Sequence, residues 1–404
     1  MEATQNPRLT QREHGDTVST QLTTLVATAV GERTEVIVRP PVEWRTHPGH
    51  FTQRRVYAAA HVIPRVGAQN VPGAPADIDW DSTLAFRRHL FEYGFGVAEA
   101  MDTAQRNMGL DWPATKELIT RSTKEAHAVG AHIISGVNTD HRTGPLTVGG
   151  ITDAYLEQLA VVESSGSDAI LMPSRHLTAV GASADEYKAV YAEVISQATN
   201  PVTLHWLGEA FDPHLRGYWG TTEYADASET LLQIISGNPG KVVGVKVSLL
   251  SEELEIDLRS RLPRGSSLFT GDDFNYPTLI RGDGRRYSDA LLGAFAAVAP
   301  AASSALRALD DGDLATYDAV MESTVALSRK IFEPPTFNYK TGIAFLSWLC
   351  GHQPAFEMVA GLHANRSAVH LSSVFTLANT AGLLGDPELA THRFNAWAST
   401  VGIR

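Results

Sequence analysis

Lys246 is the residue whose surroundings are least usual for its type. It lies in the run 242–248, which reads VVGVKVS and is otherwise mostly apolar. Such a run is typical of a strand that is buried on both faces. An ammonium group is costly to bury there unless it is paired or its pKa is lowered, and a lysine with a lowered pKa is a nucleophile toward carbonyl carbon. The alternative is a lysine that reaches solvent from the strand end or pairs with a neighbouring carboxylate.

Other polar residues lie where short apolar runs end, and they would surround Lys246 if the runs were parallel strands of a barrel. Barrel enzymes carry their chemistry at the carboxyl ends of the strands. An imidazole there is a general acid or base near neutrality, and carboxylates and amides hold hydroxyl groups. The candidates are His61, Glu99, Asn138, Arg175, His176, His205, Asp272 and Asp273. The competing interpretations are a hydrogen-bonded core histidine for His61 and a helix cap for Asp272 and Asp273.

Eight short apolar runs recur along the chain, and amphipathic stretches with helical spacing separate them. The runs are 56–61, 95–99, 132–137, 168–173, 202–206, 242–247, 267–271 and 290–295, and the helical stretches are 82–93, 114–129, 152–164, 184–197 and 222–236. Asp111 precedes Pro113 as an N-cap precedes a first-turn proline, and Gly94, Gly130 and Gly166 are placed to end helices. Strands that alternate with helices are parallel, and eight such units predict an α/β fold, the (β/α)8 TIM barrel.

The chain extends beyond the predicted barrel at both ends. We predict an N-terminal extension at 1–55, the barrel at 56–300 and a helical C-terminal region packed on the barrel at 301–404. A strand at 34–38 is expected to plug the barrel floor or to pair there. The sequence DDGD at 310–313 predicts a turn, and 315–332 and 341–349 have helical spacing. No internal repeat is visible, so we predict no second domain.

Composition excludes several classes of partner. The chain has 404 residues, of which 43% are hydrophobic and 19% charged, and its formal net charge of −12 argues against nucleic acid or an anionic membrane as a partner. The single cysteine, Cys350, excludes an internal disulfide. The segment 1–20 lacks the pattern of a secretory signal, so a cytoplasmic protein is expected. The uncharged segment 290–306 contains Pro300 and is short for a membrane span, which favours a buried strand followed by a helix.

The order of these motifs resembles that of the class I aldolases and lyases typified by dihydrodipicolinate synthase and N-acetylneuraminate lyase, over about 56–351. In that family the sixth barrel strand carries Gly-Ile-Lys, and its lysine forms a Schiff base with a keto substrate. Gly244-Val245-Lys246 occupies that place here. The family's Ser/Thr-Gly-Asp-Asp is matched by TGDD at 270–273, and its Asn-Val-Ala-Pro is echoed by AVAP at 297–300. The resemblance implies covalent catalysis by Lys246 without a cofactor, and a homodimer or homotetramer.

Two departures from the family pattern indicate a divergent branch with a different substrate. The fifth strand of the family ends in Tyr-Asn-Val-Pro, whose tyrosine relays protons, whereas this chain reads HWLG and has His205 in the tyrosine's place. After the second strand, the family's Gly-Thr-Thr-Gly-Glu loop grips the carboxylate of pyruvate, whereas this chain reads EAMDTA from Glu99. Asp102 would repel a carboxylate but would accept hydrogen bonds from hydroxyl groups. A polyhydroxy ketone is therefore expected in place of pyruvate.

The expected reaction follows from the chemistry of an iminium ion. Lys246 attacks the ketone of a small-molecule carbonyl substrate, and the iminium that results stabilises the enamine left when a bond to the α-carbon breaks, while His205 moves protons. Retro-aldol cleavage of a keto sugar or sugar-acid derivative is the first hypothesis, and dehydration is its close relative. The residues expected to bind substrate are His61, Glu99, Asp102, Thr103, Asn138, Arg175, His176, Asp272 and Asp273, with Arg175 and His176 at the distal end.

Two other functions remain open at this point. The first is a metal-dependent barrel isomerase or lyase, in which Glu99, His205, Asp272 and His61 hold Mn²⁺, Mg²⁺ or Zn²⁺ and the metal polarises the carbonyl. The second is a non-catalytic barrel that binds a sugar-like ligand. A lysine in an apolar strand argues against a pure binding module, because burying its ammonium group costs stability and a module without catalysis gains nothing from it.

Overall fold

The computed structural model describes residues 21–403, and its centre is a closed barrel of eight parallel strands. In chain order the strands are β1 (Thr23–Ala29), β2 (Glu32–Ile37), β3 (Val56–Ala59), β4 (Gly96–Glu99), β5 (Ile133–Val137), β6 (Asp168–Leu171), β7 (Val202–Leu207), β8 (Val242–Ser248), β9 (Ser267–Thr270) and β10 (Asp289–Leu292). Strands β3 to β10 follow one another around the barrel, and β10 pairs with β3 to close it. All eight predicted runs form these strands, with ends that differ by a few residues.

Helices surround the barrel and continue beyond it. They are α1 (Trp80–Glu92), α2 (Trp112–Val129), α3 (Val148–Ser165), α4 (Arg175–Ala179), α5 (Ala184–Gln197), α6 (Tyr224–Gly237), α7 (Glu252–Arg261), α8 (Tyr276–Arg281), α9 (Phe295–Asp310), α10 (Leu314–Ile331), α11 (Tyr339–Leu349), α12 (Ala368–Thr380) and α13 (Pro387–Thr400). The predicted (β/α)8 barrel with extra C-terminal helices is therefore confirmed. Among the described residues, no helix is long and apolar enough to cross a membrane, and the segment 290–306 forms the end of β10 and most of α9.

The helix ends follow the local signals in the sequence. The side chain of Asp111 accepts a hydrogen bond of 2.9 Å from the Ala114 N–H and caps α2, as predicted. Gly130 ends α2 with φ of 69°, and Gly166 ends α3 with φ of 83°. These left-handed conformations cost a glycine little, whereas a side chain would be strained there.

The strand expected at 34–38 exists as β2, but the expectation that it plugs the barrel floor or pairs there is wrong. It pairs antiparallel with β1 alone, and the hairpin lies on the C-terminal helices, where the Ala27 N–H donates to Ser372 Oγ of α12 at 3.2 Å. The physical reason is that the closed barrel offers no strand edge for pairing. The segment 1–20, on which the expectation about a signal peptide rested, lies outside the described residues.

Alternation along the strands decides which side chains enter the barrel. One apolar cluster fills the interior and comprises Tyr57, Ala59, Ala98, Met101, Ile134, Ile170, Met172, Phe269 and Leu291. The intervening strand residues, such as Val97 and Val245, pack against the surrounding helices. On β8 the small Gly244 lies against the Phe269 ring, and Lys246 follows it on the same side of the strand. Lys246 therefore enters the barrel interior near the carboxyl ends of the strands.

Candidate active site

Lys246 is buried in the upper barrel, and its side chain is closely confined. Its residue exposure is 4%, and a β-carbon on Gly271 would lie 2.8 Å from Lys246 Cε. Burial lowers the pKa of Lys246, while the carboxyl groups of Asp102 and Asp273, in their ionised forms, oppose that shift. These two carboxyl groups act through space rather than through a hydrogen bond to the amine. A lysine with a lowered pKa spends more of its time as the neutral amine, which is the nucleophilic form.

His205 lies beside Lys246 on the neighbouring strand β7, and the two residues are directly paired across the β7–β8 ladder. The ring is fully buried, and Nε2 is 3.3 Å from Ser248 Oγ. Its Nδ1 atom has no hydrogen-bond partner among residues 21–403. Burial, and after it the positive charge of Lys246, holds the pKa of His205 well below its ordinary value. The imidazole is therefore neutral near pH 7 and is suited to accept a proton.

Asp102 and Thr103 meet a tyrosine from the C-terminal helices. The Tyr339 hydroxyl donates to Asp102 Oδ2 at 2.5 Å and lies 2.7 Å from Thr103 Oγ1. Burial alone would raise the pKa of Asp102, but the charges of Lys246, Lys340 and His205 and the Tyr339 hydrogen bond lower it. Asp102 is thus an ionised carboxylate within the electrostatic reach of Lys246.

A second buried lysine, Lys340, follows Tyr339 on α11. Its residue exposure is 2%, and its Nζ contacts the Met108 sulfur at 3.4 Å and the Phe337 carbonyl at 3.3 Å. Burial lowers the pKa of Lys340 to about 8, although the charges of Asp102 and Asp212 oppose that shift. Lys340 therefore changes charge close to neutral pH, as few lysines do.

The two neighbouring aspartates after β9 have different surroundings. Asp272 accepts from the N–H groups of Phe274 and Asn275 at 2.8 and 3.0 Å, so its carboxylate caps the turn before α8. Asp273 is buried, and its Oδ1 accepts from the Ala294 N–H at 2.7 Å. Burial holds the pKa of Asp273 well above its ordinary value despite that hydrogen bond and the charge of Lys246. Asp273 thus resembles a carboxylic acid that can donate a proton near Lys246.

Glu99 and His61 are directed away from this site. Glu99 shares its side of β4 with the outward-facing Val97, and both of its oxygens pair with the Arg87 guanidinium of α1 at 2.8 Å. His61 follows β3, and its Nε2 is 2.9 Å from Gln353 Oε1 while its ring packs edge-on against Phe86. The interpretation of His61 as a hydrogen-bonded core histidine fits these contacts.

Asn138 directly follows β5, and Arg175 and His176 begin α4, the short helix after β6. Asn138 and Arg175 line a small cavity together with Asp102 and Lys340. The Arg175 Nε donates to Asp212 Oδ2 at 2.7 Å. His176 is not among the residues that line this cavity, and its Nδ1 is 2.8 Å from Thr139 Oγ1.

The residues named for a metal site do not come together. Glu99 is neutralised by Arg87, Asp272 is occupied by the turn that it caps, and His61 bonds to Gln353. Within residues 21–403, no three His, Cys, Asp or Glu side chains are arranged to hold a metal ion. His205 is the one member of the proposed set that lies next to Lys246.

Sequence reasoning missed three residues of this site: Ser248, Tyr339 and Lys340. Ser248 was detectable, because it follows Lys246 by two positions and so lies on the same side of β8. Tyr339 and Lys340 carried no such signal, since they lie at the start of a helix far from the barrel strands in sequence. Only tertiary packing brings them to Asp102.

Comparisons with known proteins agree with this architecture. A family model described as "Protein of unknown function (DUF993)" matches residues 25–403, and no curated protein matches the sequence. A candidate dihydrodipicolinate synthetase from Pseudomonas aeruginosa is 16% identical with a TM-score of 0.62, covering 81% of this chain and 100% of that one. YagE from E. coli K12, a prophage protein of the dihydrodipicolinic acid synthase family in complex with pyruvate, is 13% identical with a TM-score of 0.58, covering 85% and 99%. The resemblance seen in the motifs is thus confirmed as a shared fold.

Proposed function

We propose that this chain, which belongs to the DUF993 family, is a lyase that forms a Schiff base between Lys246 and a keto sugar or sugar-acid derivative. The observation that carries the proposal is the position of Lys246. A buried amine with a lowered pKa lies inside a barrel, on its sixth strand, where it is paired with His205 on the neighbouring strand and lies close enough to Asp102 and Asp273 for their charges to act on it. No cofactor is needed for this chemistry.

The first half of the reaction makes the iminium ion. The neutral amine of Lys246 attacks the substrate ketone and gives a carbinolamine. Loss of the hydroxyl group as water requires a proton, and Asp273 is the proposed donor because burial holds its pKa well above the ordinary value. The positive charge of the iminium is stabilised by the carboxylate of Asp102, whose charge already acts on Lys246.

The second half breaks a bond to the α-carbon. In retro-aldol cleavage, a base removes the proton of the β-hydroxyl group, the bond between the α- and β-carbons breaks, and an aldehyde leaves an enamine on Lys246. His205, alone or through Ser248, is the proposed base because its imidazole is neutral and adjacent to the lysine. Protonation of the enamine and hydrolysis of the iminium return the amine and release a second carbonyl product. Dehydration uses the same iminium and differs in the bond that breaks.

The surroundings of Asp102 favour a hydroxylated substrate over pyruvate. YagE binds pyruvate, but an ionised Asp102 close to Lys246 disfavours a carboxylate next to the reacting carbonyl. Asp102 Oδ1 is buried and accepts no hydrogen bond from any described residue. A substrate hydroxyl group would satisfy that oxygen, whose burial without a partner is otherwise costly.

Trapping the Schiff base tests the proposal. The protein is incubated with sodium borohydride and each of a panel of keto sugars, keto-sugar acids and keto acids, and the intact mass is measured. We expect a stable adduct in the wild type whose mass identifies the bound carbonyl fragment, and no adduct in Lys246→Met. Lys116→Met, which removes an exposed lysine of α2, is the matched control and should keep the adduct. An adduct that persists in Lys246→Met, or ligand binding without any adduct, would refute the covalent mechanism.

We also propose that the protein is a cytoplasmic homodimer or homotetramer, by analogy with the proteins that share its fold. Light scattering after size-exclusion chromatography measures the assembly state, and a monomer at micromolar concentration would contradict this part of the proposal.

A further inference from the structure

A small cavity between the barrel and α11 brings Asp102 together with polar groups that the proposed chemistry does not use. Asp102, Asn138, Arg175 and Lys340 all line it. Asp102 belongs both to this cavity and to the surroundings of Lys246: burial alone would raise its pKa, but the charges of Lys246 and Lys340 lower it. A substrate bound to Lys246 and extending past Asp102 would therefore reach these groups.

Three side chains that line this cavity have hydrogen-bond donors without a protein acceptor in residues 21–403. Asn138 is 2% exposed, and its Nδ2 has no hydrogen-bond partner among the described residues. Lys340 Nζ contacts a thioether sulfur and the Tyr339 ring, whose centroid is 4.4 Å away, and among the described residues it donates to one oxygen, the Phe337 carbonyl. Arg175 binds Asp212 through Nε, and no described residue is hydrogen-bonded to its two terminal nitrogens. A buried donor without a partner, such as Asn138 Nδ2, is costly, and the partly exposed Arg175 can donate to a ligand as well, so a ligand that accepts several hydrogen bonds fits here.

The balance of charges around the cavity also favours an anionic ligand. Two of its guanidinium groups are already paired, Arg175 with Asp212 and Arg106 with Asp140. Asp102 and Lys340 are the remaining charged groups that line it. Once Lys246 carries the iminium charge, Asp102 balances that charge, and the ammonium of Lys340 is left to be balanced by the substrate.

We infer that the substrate carries an oxyanion, a carboxylate or a phosphate, at the end distal from its reacting carbonyl, and that Lys340, Asn138 and Arg175 bind it. The inference rests on the proposed function for the direction in which the substrate lies. It narrows the substrate to a keto sugar with an acidic far end. Asp102 Oδ1 then binds a hydroxyl group between the ketone and the anion.

Three ligands with the same C2 ketone and different C6 groups test the inference: D-fructose, D-fructuronate and D-fructose 6-phosphate. Dissociation constants are measured by calorimetry in a Lys246→Arg background, where no Schiff base forms but a positive charge remains beside Asp102, so that only non-covalent binding counts. We expect Lys340→Met in this background to weaken binding of at least one of the two anions by about tenfold or more, which is about 1.4 kcal/mol. Binding of D-fructose should change by less than about twofold. Lys116→Met is the control and should change none of the three.

The outcomes distinguish a carboxylate from a phosphate as the anion. They also distinguish a failure of this inference from a failure of the proposed function. A response of fructuronate alone indicates a carboxylate, and a response of the phosphate ester alone indicates a phosphate. Equal weakening of all three ligands, no weakening of either anion, or no binding of either anion at millimolar concentration would overturn the inference. Lys340→Gln is measured alongside and should agree, provided that thermal melting shows both variants folded. Failure of the proposed function is a different result, namely a wild type that gives no adduct at Lys246 while anion binding still depends on Lys340.

Discussion

Substitution of Gly271 by alanine is the sharpest test of how the barrel positions its nucleophile. A β-carbon at this position would lie 2.2 Å from Ser248 Oγ, 2.8 Å from Lys246 Cε and 2.9 Å from the Val247 carbonyl oxygen. Contacts below 3.0 Å essentially never occur for real β-carbons, so all three atoms must move. Gly271→Ala therefore acts on the lysine and on the serine beside His205 without removing any catalytic group.

The size of the effect follows from these distances. Ser248 Oγ must shift by about 0.8 Å to reach 3.0 Å, which displaces the hydroxyl group that lies 3.3 Å from His205 Nε2. A misplacement of about 1 Å in a reacting group costs about 100-fold in rate. Overpacking a well-filled core also costs about 1–3 kcal/mol of stability. We thus expect Gly271→Ala to slow Schiff-base formation by about 10- to 100-fold and to lower the melting temperature modestly.

The assay is the rate of adduct formation under borohydride with the most readily trapped ketone, measured well below the melting temperature. Gly149→Ala is the matched control, since Gly149 is in the first turn of α3 and no heavy atom lies within 4 Å of the position that an added β-carbon would take. It should leave the trapping rate unchanged. A folded Gly271→Ala protein that traps ketone at the wild-type rate would refute the argument that Lys246 is held in a narrow, productive position.

Three other substitutions separate catalytic from structural roles. Tyr339→Phe removes the hydroxyl group that donates to Asp102, and should cost about 1.5–3 kcal/mol in urea unfolding and slow trapping; an unchanged stability would contradict the hydrogen bond. Glu255→Gln should flatten the pH dependence of stability, because burial raises the pKa of Glu255 to about 8 in the folded protein. The contribution of Glu255 to the free energy of unfolding is full below the unfolded pKa of about 4.3 and is lost as the pH rises through 8. Melting curves recorded from about pH 5 to 9 measure this loss. Glu99→Gln should destabilise the fold by about 3–5 kcal/mol, because it leaves the buried guanidinium of Arg87 without its carboxylate partner. The folded variant should still form the Schiff base with ketone. A loss of trapping would indicate that Glu99 is part of the active site.

The barrel was predictable because its signals are local. Each strand is a short apolar run between helical stretches, and helix ends such as Asp111 and Gly130 carry their own capping chemistry. The placement of Lys246 in an apolar strand was equally local, and it pointed to a buried amine without any tertiary information. The hairpin strand β2 was found by the same signal, but its partner was not, because pairing depends on which edges the rest of the fold leaves free.

The site was predictable only in part, because the direction of a side chain at a strand end depends on alternation and on its partners. Glu99 was expected at the site, but its side of β4 faces the helices, where Arg87 binds it. His205 and Asp273 lie near Lys246, as the barrel rule suggested. Tyr339 is more than two hundred residues from Asp102 in sequence, and nothing in the sequence around either residue indicates their hydrogen bond.

Lys246 lies on a barrel strand, whereas Lys340, which lines the cavity, lies on α11, and this separation affects how such a protein can change over evolution. The proposed nucleophile and its proposed proton-transfer partners belong to β7, β8 and the residues that follow β9, whereas Tyr339 and Lys340 lie on a helix that follows the barrel in the chain. Replacement of that one helix, by recombination or by design, would alter what surrounds the far end of a ligand and leave the reactive amine in place. Selectivity and reactivity can therefore diverge independently, and a library randomised at the start of α11 would explore new ligands while the bond-breaking chemistry stays the same.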